Sequence, residues 1–351
     1  MSSMERKKTA VLVAGSWGTA LARVLADNGH AVKLWTRNPQ QAMEINRTRQ
    51  NARFLPGAAL PETIEATADM ADALAGAQLV IFVSPSSAMR DVARVAAPHL
   101  APGALVMHAT KGFEAESLKR MSTVLSEELK VREDDIVCLS GPSHAEEVIN
   151  RLPTTVVVAS RNLQLAETAQ DYFMNSSYFR VYTNPDLLGV EISGAVKNVI
   201  ALGAGLSDGL GFGDNAKAAL ITRGLAEIAR LGVAMGANPL TYAGLAGVGD
   251  LIVTCTSRHS RNWRAGSMLA EGIPLSEVLE RMGMVVEGVR NTKAAFELAS
   301  RCSVEMPITA QLYAVLFEGK SPRQAVTDLM GRVRTHEIEE VASHFDRKKG
   351  L

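Results

Sequence analysis

Short apolar runs recur along the first half of the chain, and the segments between most of them have helical spacing. These runs have the length of strands and lie at residues 9–15, 31–37, 78–84, 104–110 and 135–140. Two further runs of the same kind lie at residues 154–160 and 179–183. Because the runs are continuously apolar rather than alternating, each is predicted to be buried on both faces. The pattern therefore predicts an α/β domain with a mostly parallel, doubly wound sheet.

The pattern changes after residue 184, where Ala, Leu and Gly recur at helical spacing and no further run is typical of a strand. At 351 residues, the chain also has the length of two ordinary domains rather than one. We therefore predict an α/β domain over residues 8–187 and an all-α domain over residues 188–340. The charged end of the chain, residues 341–351, is predicted to be a disordered tail.

Composition and charge exclude several classes of function. Lys and Arg number 37, and Asp and Glu also number 37, so the formal net charge is zero and general binding of nucleic acid is not expected. No apolar stretch has the length of a bilayer span, and no cleavage pattern follows the basic N-terminus, so neither membrane insertion nor a signal peptide is predicted. The three cysteines lack the spacing of metal ligands. They are expected to be reduced thiols of a cytoplasmic protein that needs no metal.

The first apolar run leads through a glycine-containing turn, VLVAGSWGTALA, into a helical segment. Gly15 and Gly18 match the second and third glycines of the dinucleotide-binding motif G-x-G-x-x-G, whereas Val13 replaces the first. Glycines at those positions let the backbone approach a pyrophosphate and let the helix pack closely on its strand. The amides of Ser16 and Trp17 would lie at the helix N-terminus, where anions bind. The place of the motif in a βαβ unit favours a Rossmann-like dinucleotide site over a turn that only connects two elements.

Val13 is the departure from that motif. A β-branched side chain is stiff, and it is poorly suited to the tight backbone bend that the first glycine usually provides. We expect either that the turn is shifted or that Val13 is strained, at a typical cost of about 1–3 kcal/mol.

The end of the second predicted strand bears on the choice of cofactor. An NAD-selective site usually has Asp or Glu about 20 residues after the glycine motif, where it accepts a hydrogen bond from the ribose. The corresponding segment here, KLWTRNP, contains no acid and has Arg37 instead. Since a guanidinium pairs with a 2′-phosphate and stacks on adenine, the sequence favours NADP(H), with NAD(H) as the second candidate. The alternative is that Arg37 is a solvated surface residue.

Small and hydrogen-bonding residues follow three later strands, in the segments SPS, TKG and SGPS. Ligands of open α/β sheets bind at the carboxyl ends of the strands, so these segments are expected to contact a ligand. Lys111, in the second segment, would hold a phosphate or other substrate oxygens. Each segment taken alone is also typical of an ordinary turn.

A predicted helix over residues 190–206 is apolar on almost all sides but contains Lys197 and Asn198. Burial lowers the pKa of a lysine towards the range that suits proton transfer, so Lys197 is a candidate catalytic residue. The alternatives are a structural ion pair and a lysine that reaches the rim. Asp250 lies among glycine and aliphatic residues, and we interpret it either as a helix N-cap or as the carboxylate partner of Lys197.

A basic segment, TSRHSRNWRAG, follows Asp250. Ser260 is predicted to cap a helix that begins with Arg261 and Asn262. The amides and the guanidinium at such a helix N-terminus would bind a phosphate group, unless the segment is only a solvated basic loop.

Seven motifs together resemble one known family. They are GSWGTALA, ATKG, SGPSHAEE, SGAVKN, GVGDLIVTCTS, SRNWR and VVEG. Their order and spacing resemble those of the NAD(P)-dependent glycerol-3-phosphate dehydrogenases of the bacterial type, over about residues 9–332. The resemblance implies the interconversion of dihydroxyacetone phosphate and sn-glycerol 3-phosphate for phospholipid synthesis, by a homodimer.

The resemblance also implies roles for individual residues. Lys197 would be the proton donor and acceptor, with Asp250 and Asn198 beside it. The positions that resemble the substrate contacts of the family are Lys111, Gly141, Ser143, Ser260, Arg261 and Asn262. The positions that resemble its cofactor contacts are Ser16, Trp17, Arg37, Lys111, Ala145, Arg261, Val285 and Glu287.

Two other functions remain open on the sequence. Dehydrogenases of the 3-hydroxyacid or 6-phosphogluconate type also have a lysine and an asparagine on a central helix, so SGAVKN alone does not separate them from this chain. A regulator that binds NADP(H) without turnover is a different class, but it would have no need of a buried lysine.

Overall fold

The computed structural model describes residues 7–333, and these residues divide into two units. Residues up to 110 together with residues 119–187 form the first unit, which contains the sheet. Residues 111–118 together with the residues from 188 onward form the second unit, which is helical. The predicted tail at residues 341–351 lies outside the described residues, as do the last residues of the predicted helical domain.

Eight strands form one sheet in the order β3-β2-β1-β4-β5-β6-β7-β8. The strands are β1 (Lys8–Leu12), β2 (Ala31–Trp35), β3 (Ile64–Thr67), β4 (Leu79–Phe82), β5 (Leu105–His108), β6 (Ile136–Ser140), β7 (Thr154–Ala159) and β8 (Phe179–Asn184). All neighbouring pairs are parallel except β6 and β7. The predicted doubly wound, mostly parallel sheet is therefore confirmed.

Helices cover both faces of this sheet, which explains why the inner strands β4, β5 and β6 are buried at every position. Val11 of β1 packs into a core cluster with Leu21 and Phe173, which lie on two helices on one face of the sheet. Its neighbour Leu12 packs into a second cluster with Met89 and Val124, which lie on two helices on the opposite face. The helices of this unit are α1 (Ser16–Asp27), α2 (Pro39–Thr48), α3 (Met70–Leu74), α4 (Met89–Ala96), α5 (Met121–Leu129), α6 (Ala145–Ile149) and α7 (Leu163–Phe173).

The second unit is built around α8 (Leu187–Gly209). The expectation that no apolar stretch has the length of a bilayer span was wrong for this helix, which is long and apolar enough to cross a membrane. However, 94% of its most apolar window is buried inside the protein, as expected of a core helix. The remaining helices are α9 (Asp214–Ala234), α10 (Asp250–Thr256), α11 (Arg261–Ala270), α12 (Leu275–Met282), α13 (Glu287–Arg301), α14 (Pro307–Phe317) and α15 (Pro322–Met330). The predicted all-helical second part of the chain is thus confirmed for the described residues.

Candidate active site

Lys197 lies on the buried core helix α8, and its side chain is 5% exposed. Its ammonium group donates hydrogen bonds to Asp250 Oδ1 and, over 2.7 Å, to Thr254 Oγ1. Asp250 is the first residue of α10, whose N-cap position is taken by Gly249. The carboxylate of Asp250 therefore does not cap this helix but pairs with Lys197, which was the second of the two interpretations drawn from the sequence.

A second lysine shares the same carboxylate. Lys111 Nζ lies 2.8 Å from Asp250 Oδ2, and the Lys111 side chain is 19% exposed. Its backbone carbonyl accepts hydrogen bonds from Asn198 Nδ2 at 3.3 Å and from Asn291 Nδ2 at 3.4 Å. Asn291 is fully buried on α13 and also donates to Ala195 O of α8 over 3.0 Å. The segment that contains Lys111 is thus fixed to the helices that surround Lys197.

The charges in this cluster shift the pKa values of its members. Burial, against the opposing effect of the Asp250 carboxylate, lowers the pKa of Lys197 to about 7, and the Lys111 ammonium lowers it further. Burial alone would raise the pKa of Asp250, but the two lysines outweigh it and hold that pKa below its ordinary value. Burial raises the pKa of the neighbouring Cys255 thiol to about 12, so the thiol stays protonated. Lys197 is therefore the group of this cluster that can exchange a proton near neutral pH.

Ser260 caps α11, as the sequence predicted, by accepting a hydrogen bond from the amide of Trp263 at 3.2 Å. Arg261 is exposed at the first position of this helix and donates to the carbonyl of Val285 over 3.2 Å. An exposed guanidinium at the N-terminus of a ten-residue helix is suited to binding a phosphate group. Glu287 is half-buried at the first position of α13.

A chain of amides connects α11 to α8 and α13. Asn262 Nδ2 donates to Asn198 Oδ1 over 2.8 Å, and Asn262 Oδ1 accepts from the amide of Gly288 over 2.8 Å. A Cβ atom at Gly288 would lie 2.6 Å from the carbonyl oxygen of Asn198, so only glycine allows the two helices to approach this closely. The predicted residues Asn198 and Asn262 are thereby held next to Lys197.

The other predicted site residues belong to the first unit. Val13 has φ +85°, so a β-branched residue adopts the strained region that glycine favours, which was the second of the two expectations from the sequence. A Cβ atom at Gly18 would lie 2.2 Å from the carbonyl oxygen of Val13, which explains why this position of α1 is glycine. Among the described residues, a Cβ at Gly15 would meet nothing within 4 Å, and the buried Trp17 Nε1 has no hydrogen-bond partner. An open turn at a helix N-terminus fits a dinucleotide pyrophosphate.

Four further predicted positions follow β2 or β6 at the same edge of the sheet, because β1, β2 and β6 all run in the same direction. Arg37 is exposed just beyond β2. Gly141, just beyond β6, has φ +114°, and its carbonyl accepts a hydrogen bond from Ser143 Oγ at 2.9 Å. Ala145 is the first residue of α6 and is buried.

Comparison with known proteins places the chain among enzymes. A family model described as the N-terminus of NAD-dependent glycerol-3-phosphate dehydrogenase matches residues 8–166, and one described as its C-terminus matches residues 186–327. Proteins named glycerol-3-phosphate dehydrogenase (NAD(P)+) are similar to it. The one from Geobacillus thermodenitrificans is 60% identical over 335 residues, which cover 95% of this chain and 98% of the relative. The one from Bacillus velezensis is 56% identical over 343 residues, which cover 97% of this chain and 99% of the relative.

Solved structures give the same result. The crystal structure of glycerol-3-phosphate dehydrogenase from Coxiella burnetii has a TM-score of 0.88 and 40% sequence identity, and the match covers 93% of this chain and 99% of that one. A ketopantoate reductase from Ralstonia eutropha has a TM-score of 0.55 at 18% identity over 91% of this chain and 99% of that one, a likeness of fold alone.

Proposed function

The chain belongs to the NAD-dependent glycerol-3-phosphate dehydrogenase family, and we propose that Lys197 is the residue that transfers the proton in its reaction. The protein is an oxidoreductase that reduces dihydroxyacetone phosphate to sn-glycerol 3-phosphate with NAD(P)H, reversibly. The family indicated by the sequence motifs is thus confirmed. The 3-hydroxyacid and 6-phosphogluconate types and the regulator without turnover are set aside, because both halves of the chain match this family.

The observation that carries the proposal is a buried ammonium group on an apolar helix, paired with a carboxylate that also pairs with Lys111. Burial lowers the pKa of this ammonium group to about 7. In its charged form Lys197 donates a hydrogen bond to the carbonyl oxygen of dihydroxyacetone phosphate and then gives its proton to the alkoxide. The reduced nicotinamide, when bound, supplies the hydride that C2 of the substrate receives. Neutral Lys197 afterwards regains a proton from solvent, and in the reverse direction it accepts the proton of the hydroxyl group.

Asp250 and Lys111 prepare Lys197 for this role. The Asp250 carboxylate orients the ammonium group and opposes its deprotonation, because one oxygen accepts from Lys197 and the other pairs with Lys111. Lys111 balances the carboxylate and, with its side chain 19% exposed, remains available to substrate oxygens. Asn198 fixes the backbone of Lys111 and, through Asn262, connects this cluster to the N-terminus of α11.

We propose that the phosphate of the substrate binds at the N-terminus of α11, through Ser260, Arg261 and Asn262. We expect Arg261→Ala to raise KM for dihydroxyacetone phosphate by about 10- to 100-fold, because it removes a charge-assisted contact to the phosphate. It should change the weak reduction of unphosphorylated dihydroxyacetone far less. Oxidation of NADPH, followed by absorbance as each substrate is added, measures both effects.

Arg264→Ala is the matched control, since Arg264 is exposed on the same helix one turn further from its N-terminus. The control should leave both KM values near those of the wild type. If Arg261→Ala raised KM equally for both substrates, Arg261 would act on the cofactor or on the stability of the fold rather than on the phosphate.

We propose that the cofactor binds at the turn before α1 and that Arg37 contacts the 2′-phosphate of NADPH. Ala145, Val285 and Glu287 are further proposed contacts of the cofactor, and Gly141 and Ser143 are proposed contacts of the substrate, all carried over from the family pattern. We expect Arg37→Ala to reduce the preference for NADPH over NADH by about tenfold, because the arginine gains nothing from the 2′-hydroxyl of NADH. The ratio of the two kcat/KM values measures this preference. An unchanged ratio in Arg37→Ala would mean that Arg37 does not contact the 2′-phosphate. Arg47→Ala, at an exposed position of α2, is the control and should leave the ratio unchanged.

The family resemblance also bears on the compartment, the oligomeric state and the metabolic role of the enzyme. We propose that it acts in the cytoplasm as a homodimer and supplies sn-glycerol 3-phosphate for phospholipid synthesis. The free cysteines Cys138, Cys255 and Cys302 agree with a reducing compartment. The burial of α8 within the protein agrees with a protein that does not insert into the membrane.

A further inference from the structure

Two side-chain amides, one of them fully buried, converge on the strained turn of the first unit. The carbonyl oxygen of Ala14 accepts hydrogen bonds from Gln41 Nε2 at 2.8 Å and from Asn51 Nδ2 at 3.0 Å. Ala14 directly follows Val13, the residue with φ +85°, and it is 2% exposed. Both lone pairs of this carbonyl are thus used by side chains that come from outside the turn.

The two amides are themselves fixed by neighbours. Gln41, on α2, accepts from the hydroxyl of Thr36 at 2.7 Å and donates to Asn51 Oδ1 at 3.2 Å. Asn51 is 1% exposed and also donates to the hydroxyl of Thr19 on α1 at 2.8 Å. The network therefore joins the turn to α1, to the end of β2 and to α2, and its members have little freedom to move.

The backbone holds the other side of the same turn. The amides of Val13 and Ala14 both donate to the carbonyl of Trp35 at the end of β2, at 2.9 and 3.0 Å. The amide of Gly15 donates to the carbonyl of Val13 at 2.9 Å. The Ala14 carbonyl and the Gly15 amide belong to one planar peptide unit, so the two side-chain amides and the bond from Gly15 to Val13 hold the same peptide group from opposite ends.

We propose that Asn51 and Gln41 are positioning residues that hold the turn of residues 13–15 in its dinucleotide-binding conformation against the strain at Val13. The proposal rests on the proposed placement of the cofactor at this turn. Neither residue needs to touch the cofactor. A turn with valine in a region that favours glycine has a tendency to relax, and the amides oppose that relaxation by anchoring the next carbonyl. Because apparent affinity falls with the fraction of molecules that have the binding conformation, losing an amide should weaken cofactor binding.

The first test is the affinity of Asn51→Ala for NADPH, measured by fluorescence titration. We expect the Kd to rise about tenfold, the equivalent of one lost neutral hydrogen bond. Gln41→Ala, at a half-buried position, should fold even where Asn51→Ala does not, and its Kd should rise in the same direction. Wild-type affinity in both variants would overturn the proposal.

The second test is a double-mutant cycle with Val13→Gly. Val13→Gly alone should tighten NADPH binding by roughly tenfold, since glycine adopts the turn without strain. In that background Asn51→Ala should weaken binding by only about twofold, because an unstrained turn adopts the binding conformation without the side-chain amide. An equal loss in the valine and glycine backgrounds would show that Asn51 does not act through the strain at Val13, and would overturn the proposal.

The matched control is Asn46→Ala. Asn46 lies on α2 and, like Asn51, forms hydrogen bonds through both its side-chain nitrogen and its side-chain oxygen, but its partners are the carbonyl and the amide of Ala66 on β3, at 2.8 Å each. Its loss should lower the melting temperature without changing the Kd for NADPH. Because every measurement is of binding, a failure of the proposed role of Lys197 would leave these results unaffected. A wild-type protein without measurable NADPH affinity would instead refute the placement of the cofactor.

Discussion

Lys197→Met is expected to lower kcat for the reduction of dihydroxyacetone phosphate by about 100- to 10,000-fold, the range found when a positioned general acid is lost. The substrate alkoxide would then have to take its proton from water. Affinity for NADPH should remain close to that of the wild type, since the proposed nucleotide turn is formed entirely by the first unit. Stopped-flow oxidation of NADPH measures kcat, and fluorescence titration measures affinity.

Lys197→Met should fold, because the Asp250 carboxylate still has Lys111 as its partner. Lys111 Nζ stays 2.8 Å from Asp250 Oδ2, and methionine fills most of the volume of the lysine stem on an apolar helix. Lys217→Met is the matched control, since Lys217 also pairs with a carboxylate of the second unit, that of Asp208 at 2.8 Å. The control should keep its activity, whereas a Lys197→Met enzyme with half of the wild-type activity would rule out the proposed role.

The sheet could be predicted from the sequence because its strands are buried on both faces and leave continuous apolar runs. β3 was missed for the opposite reason. It has four residues, IEAT, at the edge of the sheet, and they alternate between buried and less buried positions. A strand so short gives a pattern that cannot be separated from a loop.

Residues of the candidate site could be predicted where the residue type is unusual for its sequence context. Lys197 stands out because a charged residue interrupts an apolar helix, and Val13 because valine replaces glycine in a known motif. Asn51 and Asn291 give no such signal, because a single asparagine in a polar segment is typical of a surface position. Their burial results from contacts between residues far apart in the chain, such as that between Asn291 and Lys111, 180 positions away. The pairing of Lys111 with Asp250 was missed for the same reason.

Asp250→Asn should damage both stability and activity, since it removes the shared partner of two lysines. Breaking a buried ion pair on one side typically costs about 3–5 kcal/mol, because the remaining charge stays buried without compensation. Here Lys197, with its side chain 5% exposed, would be left beside a neutral amide. We expect the melting temperature to fall and kcat at neutral pH to drop by at least about 100-fold. Asp208→Asn, which deprives Lys217 and Trp263 of their partner, is the control for stability loss alone.

The pH dependence of kcat separates a loss of proton transfer from a loss of structure. Reduction needs charged Lys197, so wild-type kcat should decline as the pH rises through about 7, the pKa that burial sets. The Asp250 carboxylate is the main group that raises that pKa, while burial and the Lys111 ammonium lower it. Without the carboxylate the decline must therefore move to lower pH, and part of the lost activity should return as the medium is made more acidic. A decline in Asp250→Asn that stays at the wild-type pH, or moves to higher pH, would mean that Asp250 does not control the proton of Lys197.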